Sequence, residues 1–361
     1  MNIFLLILCS IIIIYSALML ILLIFWTSDK TSNCSQKNND FYNVFIKSDK
    51  IIASVIVTVR NEEENILNCL FSLTSQKIEN LKIEIIISDD FSTDKTTEIV
   101  EKFIETYKNN NFSIQLIKSY SHQNYNLYSK KYSQEVAIKQ AQGEIIILTD
   151  ADCIAENKWI ITILNYFNDN MTQFVSAPVH IKSDKSFFSK LQALEFASLI
   201  ISGGALIYLN KPVMANAANL AFRKSSYIKL IDNIQSKKIS SGDDIFLMSA
   251  FKKVYGNNSI NFIKEKDAIV YTKPQNTFKD FIHQRIRWAS KAGAYKDFFT
   301  VFLSLTVFFA NLSIIILGFI AIFLLQNLKI FLIAFIIKAI SEFVILYVGL
   351  KLFSLHKLLY Y

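Results

Sequence analysis

The stretch "EIIILTDADC" (144–153) runs apolar and aliphatic and then ends on two carboxylates, Asp150 and Asp152, separated by one alanine. A short β-branched run bounded by polar residues reads as a buried strand. The two acids at its end have two readings. Either they cap a turn, or they hold a cation against something negatively charged.

Working outward, the same pattern recurs upstream. "IIASVIVTV" (51–59) is a continuous apolar run followed by Arg60-Asn61-Glu62, and 62–75 has helical character. "IEIIIS" (83–88) ends in Asp89-Asp90 and leads to a helix over about 93–107. "IQLIK" (114–118), a helix near 132–142 and the strand 144–149 complete the series. Near-continuous aliphatic strands alternating with helices predict a parallel sheet covered on both faces, an α/β domain. Ligands of such sheets bind at the carboxyl ends of the strands. Three polar strand ends would therefore converge on one crevice, which weakens the turn-cap reading. Neither a G-x-G-x-x-G nor a G-x-x-x-x-G-K-[ST] motif is present, and the chain has 8 glycines, so phosphate is not expected on a backbone cradle. The alternative is a carboxylate pair holding Mg²⁺ or Mn²⁺, which in turn grips a diphosphate.

The ends of the 361-residue chain are different. Residues 3–26 carry no charge and are long enough to span a bilayer. A basic n-region and a small-residue cleavage site are missing, so an anchor is favoured over a signal peptide. Residues 299–325 and 330–350 form two further candidate spans around a polar break at 326–329, an expected helical hairpin. Lys338 and Glu342, four apart, share a helix face and can pair. Basic residues flank the central segment and follow the last span, so the positive-inside rule places that segment and the C-terminus in the cytoplasm. The domain expectation is an N-terminal transmembrane helix (1–27), a linker (28–47), a cytoplasmic domain (48–296) and a C-terminal hairpin and tail (297–361). Residues 185–210, broken at Gly203-Gly204, and 276–296 are expected as membrane-interface helices. The localisation expected is integral to an inner or plasma membrane.

A net charge of +8 suits a domain beside anionic lipid that handles an anionic substrate, and no block of lysines suggests a nucleic-acid arm. Four cysteines and four histidines without paired spacing give neither a disulfide framework nor a zinc site.

Five segments, in order, carry a resemblance: "SVIVTVRNEEENILNCLFSL" (54–73), "EIIISDDFSTDKT" (84–96), "ILTDADC" (147–153), "SGDDIFLM" (241–248) and "QRIRW" (284–288). Together they resemble the membrane-bound inverting glycosyltransferases of family 2, the cellulose-, hyaluronan- and chitin-synthase-like superfamily. The resemblance implies a GT-A fold and a nucleotide-diphospho-sugar donor. It implies that Asp89 and Asp90 contact base and ribose, although both can also cap the following turn. Arg60 and Glu62 fall on the nucleotide side, and Arg60 departs from the residue usual there. Lys131, beside Lys130, is placed for donor phosphate or else for solvent. Asp152 is the expected metal ligand, with Asp150 positioning donor sugar or ribose.

Asp244 corresponds to the general base of the family's T-E-D motif, and Asp243 stands where Glu is more usual. Gln284, Arg287 and Trp288 fall on one helix face, where Arg287 can reach diphosphate and Trp288 can stack on an acceptor sugar. The rival reading is an interfacial helix with Arg285 toward lipid. Asn219 is the expected sugar contact on the acceptor side.

The activity so implied is sugar transfer, from a UDP-sugar by preference, to a hydroxyl of a lipid-linked or glycan acceptor, more in keeping with a distributive than a processive enzyme. The competing readings are a processive polysaccharide synthase, a polyprenyl-phosphate glycosyl carrier synthase and a non-catalytic membrane scaffold that keeps the fold.

Overall fold

The structure, a computed structural model, describes residues 3–28, 50–118, 130–231, 243–290 and 297–360. The linker expected over 28–47 lies almost wholly outside them. An apolar N-terminal helix, α1 (Ile3–Thr27), precedes an α/β succession. It runs β1 (Ile51–Val59), α2 (Ile66–Thr74), β2 (Lys82–Asp89), α3 (Thr96–Thr106), β3 (Phe112–Lys118), α4 (Lys130–Gln140) and β4 (Ile145–Asp150). β1 and β2 are buried at every residue but the first, as expected of strands covered on both faces. β3, partly exposed along most of its length, forms the edge of the sheet.

The main sheet has the order β3-β2-β1-β4, continuing through β8 (Leu220–Arg223), β6 (Phe174–Ser176) and β9 (Ile260–Phe262). The first four strands are parallel, whereas β8 runs antiparallel to β4 and to β6. The register brings the acidic ends level: Val59 lies opposite Asp89, and Thr58 opposite Asp150. A second sheet joins β5 (Ile154–Ala155), β10 (Val270–Thr272) and β7 (Val179–Ile181). Strands this short carry little periodicity, and the sequence did not reveal them. The remaining helices of this unit are α5 (Trp159–Asn165), α6 (Phe187–Tyr208), α7 (Lys224–Ile231) and α8 (Asp243–Tyr255).

The opposite ends of the parallel strands are fixed by a buried carboxylate. Glu84 accepts from the Ser54 hydroxyl, from Gln115 Nε2 (2.9 Å) and from the Gln142 N–H (2.8 Å). The Gly143 N–H donates to Ser54 Oγ at 2.9 Å. A Cβ at Gly143 would lie 2.4 Å from backbone atoms of Ala53 and Ser54, so only glycine lets the chain enter β4 here. Side chains on β1, β2 and β3 thereby hold the start of the strand that ends in Asp150.

Helix α6 corrects one expectation. It is a single helix that continues through Gly203-Gly204, started by Ser186, whose Oγ accepts the Ser189 N–H at 3.1 Å. It packs on β7 and β9, so much of its apolar character is used within the protein.

A separate helical unit contains α1 with α9 (Phe278–Ala289), α10 (Phe298–Phe323) and α11 (Leu328–Leu352). α9, which the sequence reading placed in the central domain, clusters with these helices. A 3₁₀ turn, Leu325–Asn327, links α10 to α11. Leu5, Leu8 and Ile12 of α1 pack with Leu317 and Ala334. Lys338 pairs with Glu342 as expected. Tyr15 on α1 completes the group, donating its hydroxyl to Glu342 Oε1 at 2.7 Å while Lys338 Nζ stands 5.2 Å from its ring centroid. Among the described residues four helices, α1, α6, α10 and α11 (the last counted with its preceding turn), are long and apolar enough to cross a membrane.

Candidate active site

The residues at the ends of β1, β2 and β4 are held by their own turns. After β1, Asn61 has φ 56° and after β2, Phe91 has φ 60°. Such left-handed non-glycine residues cost energy and cluster at functional sites. They are supported by cross-bracing: Asn61 Oδ1 accepts the Thr93 N–H at 2.8 Å, and the Asn61 N–H donates to Ser92 Oγ at 3.0 Å. The Glu62 N–H donates to Thr96 Oγ1 (2.8 Å), and the Glu63 N–H to Asp94 (3.1 Å).

Asp89 and Asp90 are both buried and differ in their partners. Asp89 caps, its carboxylate accepting the Ser92 N–H at 3.2–3.3 Å. Asp90 accepts from Ser133 Oγ (3.1 Å) and faces Arg60 at 3.8 Å.

The D-x-D turn is closed by the Cys153 N–H bonding to the Asp150 carbonyl at 3.1 Å, so neither acid is needed as its cap. The Asp150 carboxylate pairs with Lys130 instead. Asp152 Oδ2 accepts from Thr272 Oγ1 at 2.7 Å, which ties the turn to the second sheet. The lysine on Asp150 is thus Lys130, the neighbour of the expected Lys131. Thr272 and Ser133, which the sequence reading did not single out, belong to the same framework.

The strand ends are electrostatically crowded with acid. Burial raises the Glu62 carboxyl above its usual range; Asn65, donating at 2.7 Å, opposes this, and the charges of Asp152 and Asp150 add to it. Burial acts to lower the Lys130 ammonium, but Asp150 and Asp152 outweigh it and hold it above its ordinary value. Burial likewise raises the thiols of Cys69 and Cys153, helped by the same acids, so both stay protonated.

Hard carboxylate oxygens suit Mg²⁺ or Mn²⁺. Among the described residues no three His, Cys, Asp or Glu side chains group as a metal cage. A cation here would therefore take one or two protein oxygens, from Asp152 and Asp150, and complete its shell from substrate phosphate.

Asp244, half-buried near the start of α8, accepts the Ala217 N–H at 3.3 Å and the Ile245 N–H at 2.9 Å. The 3₁₀ turn Ala217–Asn219 lies against β4, the strand that ends in Asp150. The side chain of Asp243 lies outside the described residues.

Asn219 is where the acceptor-contact expectation fails. It is fully buried, with its Oδ1 accepting from Trp159 Nε1 (2.9 Å) and its Nδ2 donating to the carbonyls of Pro178 (2.7 Å) and Ala268 (2.8 Å). Both amide hydrogens are taken and the side chain has no exposed surface to offer a sugar.

In the helical unit, α9 starts at Thr277, whose Oγ1 accepts the Asp280 N–H at 3.1 Å. None of its residues is buried. Arg285 does not turn away from Trp288. Its guanidinium stacks on both Phe281 and Trp288, 4.3 Å from each ring, and donates to Gln284. An aromatic residue three or four positions away competes successfully with solvent for a flat cation. Gln284 and Trp288 are half-buried and Arg287 is exposed.

A mixed, mostly parallel sheet with acidic strand ends is a GT-A-like α/β arrangement, and the chain is a glycosyltransferase. It belongs to glycosyl transferase family group 2, whose profile matches residues 145–355, while that of glycosyl transferase family 2 matches 54–231. It is 33% identical over 107 residues to glycosyltransferase AglE of Haloferax volcanii, covering 30% of this chain and 32% of that protein. It is 35% identical over 100 residues to the poly(ribitol-phosphate) β-N-acetylglucosaminyltransferase TarS of Staphylococcus aureus, covering 27% and 16%. To the poly-β-1,6-N-acetyl-D-glucosamine synthase of the same organism it is 31% identical over 141 residues, covering 39% and 31%. The matches thus span a third or less of these relatives. Among solved structures, mannosyltransferase PcManGT from Pyrobaculum calidifontis, in complex with GDP-Man and Mn²⁺, aligns with a TM-score of 0.52. That alignment covers 93% of this chain and 98% of the other at 15% identity, a likeness of fold.

Proposed function

We propose that this glycosyltransferase is an inverting, membrane-bound enzyme that moves a sugar from a nucleotide-diphospho-sugar to a hydroxyl of a lipid-linked or glycan acceptor. The observation that carries the reading is the freedom of the D-x-D carboxylates from turn capping. Asp150 and Asp152 project to Lys130 and Thr272, near a Glu62 whose proton affinity burial raises and their charges raise further. Acids grouped at strand ends without a backbone duty suit a cation–diphosphate.

In this reading Asp90, Arg60 and Glu62 line the nucleotide side, and Asp152, with Asp150 beside it, would hold Mg²⁺ or Mn²⁺. When bound, the cation neutralises charge on the leaving diphosphate. Asp244 takes the proton from the acceptor hydroxyl as it attacks the anomeric carbon, help worth about 10²–10⁴-fold. Asp243 supports it from the first position of α8. The bond from the sugar to the diphosphate breaks as the new glycosidic bond forms, which inverts the centre in one step. Lys131 serves the donor phosphates.

α1, α10 and α11 span the membrane, with the catalytic domain on the cytoplasmic face beside its lipids, and α6 and α9 near the interface. Two relatives carry N-acetylglucosaminyl chemistry in their names, so UDP-N-acetylglucosamine is the first donor to try. Distributive transfer is the reading favoured, with processive synthesis as its alternative.

The test is release of nucleoside diphosphate by purified protein with Mg²⁺ or Mn²⁺ across a panel of UDP- and GDP-sugars. Turnover of one donor supports the reading, and a processive ladder of product would overturn distributive transfer. Silence across the panel, with no nucleotide bound, would sink the donor assignment.

A further inference from the structure

The outer face of α10 repeats with a period of seven. Ser304, Asn311 and Gly318 recur at that spacing, and Phe308, Ile315 and Ile322 alternate with them at steps of four and three. Side chains so spaced form the seam of a left-handed helix pair. The buried residues of α10, among them Thr306, Ala310, Ser313 and Leu317, are a different series, and the helix packs on α1 and α11. Phe308, Ile315 and Ile322 are instead 60%, 55% and 70% exposed, and Ser304 and Asn311 are exposed with them. Gly318 marks the inner edge of the seam, since a Cβ there would lie 3.4 Å from the Phe331 ring of α11.

Asn311 makes this face more than an apolar surface. It is the only Asn or Gln of an uncharged helix, with ~18 Å of helix on either side of it. Its Nδ2 donates to the Val307 carbonyl, one turn back, at 2.9 Å. Its Oδ1 and its second amide hydrogen have no partner among the described residues. At the middle of a span the hydrocarbon supplies none. Ser304 needs less, because its hydroxyl donates to the Thr300 carbonyl at 2.9 Å.

We propose that this face of α10 is a self-association surface whose occupant is α10 of a second copy of the chain. Copies inserted in the same direction are related by a two-fold axis along the membrane normal. That axis sets the two α10 helices parallel, with Asn311 facing Asn311 at one depth. Each amide donates its unused hydrogen to the other's Oδ1, so the pair is self-complementary and needs no second kind of protein. Ser304 and Gly318 let the backbones approach, and Phe308, Ile315 and Ile322 fill the layers between. The inference rests on the reading of α10 as a membrane span.

The experiment places full-length protein, labelled at the amino terminus with donor or acceptor dye, in phosphatidylcholine vesicles and follows energy transfer as lipid dilutes it. Wild type should show transfer that falls reversibly on dilution. Asn311→Leu should need at least about a fivefold higher protein-to-lipid ratio for the same transfer, from the loss of two interhelical hydrogen bonds. Asn311→Gln keeps the amide and should associate more tightly than the Leu variant. Oxidative cross-linking reads the same face with the amide in place. Ile315→Cys should cross-link to its counterpart in a second copy. Phe309→Cys, on another face of the helix, should give no more than the wild-type chain with its four cysteines. Wild type that stays monomeric at high protein density, or Asn311→Leu that associates as wild type does, would overturn the inference. Capture of a different protein by Ile315→Cys in place of the same chain would overturn it too. A chain that alkaline carbonate extracts from the vesicles would instead overturn the span reading, a distinguishable result.

Discussion

Asn219 offers a sharp test because the structure moves it from the acceptor site to the core. Asn219→Leu is close in volume, so the loss is one of hydrogen bonds rather than of packing. It would orphan the Trp159 indole N–H and the Ala268 carbonyl, both fully buried. The Pro178 carbonyl would suffer less, because it also accepts the Val270 N–H at 3.1 Å. Each unsatisfied buried group costs about 1–3 kcal/mol, so the total should be about 3–5 kcal/mol. For a domain of this size that lowers the melting temperature by about 6–20 °C. Asn219→Asp keeps the indole acceptor, loses both donors and faces two carbonyls with a carboxylate, so it should be no better tolerated. The assay is thermal unfolding of full-length protein in detergent, with acceptor KM measured well below the transition. A variant that melts within about 2 °C of wild type while its acceptor KM rises severalfold would refute the core assignment. That outcome would return Asn219 to the acceptor.

Three further outcomes follow from other parts of the molecule. In the helical unit, Lys338→Met should destabilise the protein in bicelles by about 2–3 kcal/mol because Glu342 loses its cation in an apolar setting. Lys338→Met with Glu342→Gln should recover most of that loss, and a double variant worse than the single would contradict the pairing. His180 is buried beside Tyr271, and burial lowers its pKa from 6.5 to about 4. Below pH 6.5 the unfolded chain binds the proton and the folded chain does not. Stability should therefore fall by up to about 3 kcal/mol between those values, and His180→Gln should flatten that acid slope. At the amino end of β4, Gly143→Ala should destabilise the fold more than the usual sub-kilocalorie surface change, by about 2 kcal/mol or more; a neutral effect in a melting assay would refute the close approach of Ala53.

The main sheet was legible because β1, β2 and β4 are long, buried on both faces and rich in isoleucine, with acids marking their ends. The apolar helices were legible from length alone, and the Lys338–Glu342 pair from its spacing. What escaped was long-range. Strands β5, β7 and β10 are too short to show a period, yet β10 carries Thr272 to Asp152 from far along the chain. That Lys130 pairs with Asp150 depends on how α4 meets the end of β4, which no local pattern shows. Asn219 looked like a polar residue offered to ligand because nothing local reveals that three separate segments converge on its amide. Arg285 looked lipid-facing on a helical wheel, but its affinity for the Phe281 and Trp288 rings pulls it to their side.

The measurement that bears most directly on the proposed mechanism compares Asp152→Asn and Asp244→Asn for donor binding and for turnover in the same preparation. Asp152→Asn should lose Mn²⁺-dependent binding of the nucleotide donor. Asp244→Asn should bind donor as wild type does and lose turnover by about 10²–10⁴-fold, since only proton removal from the acceptor is affected. Wild-type turnover in Asp244→Asn, or metal-dependent donor binding undiminished in Asp152→Asn, would contradict the division of binding and chemistry between the two acids.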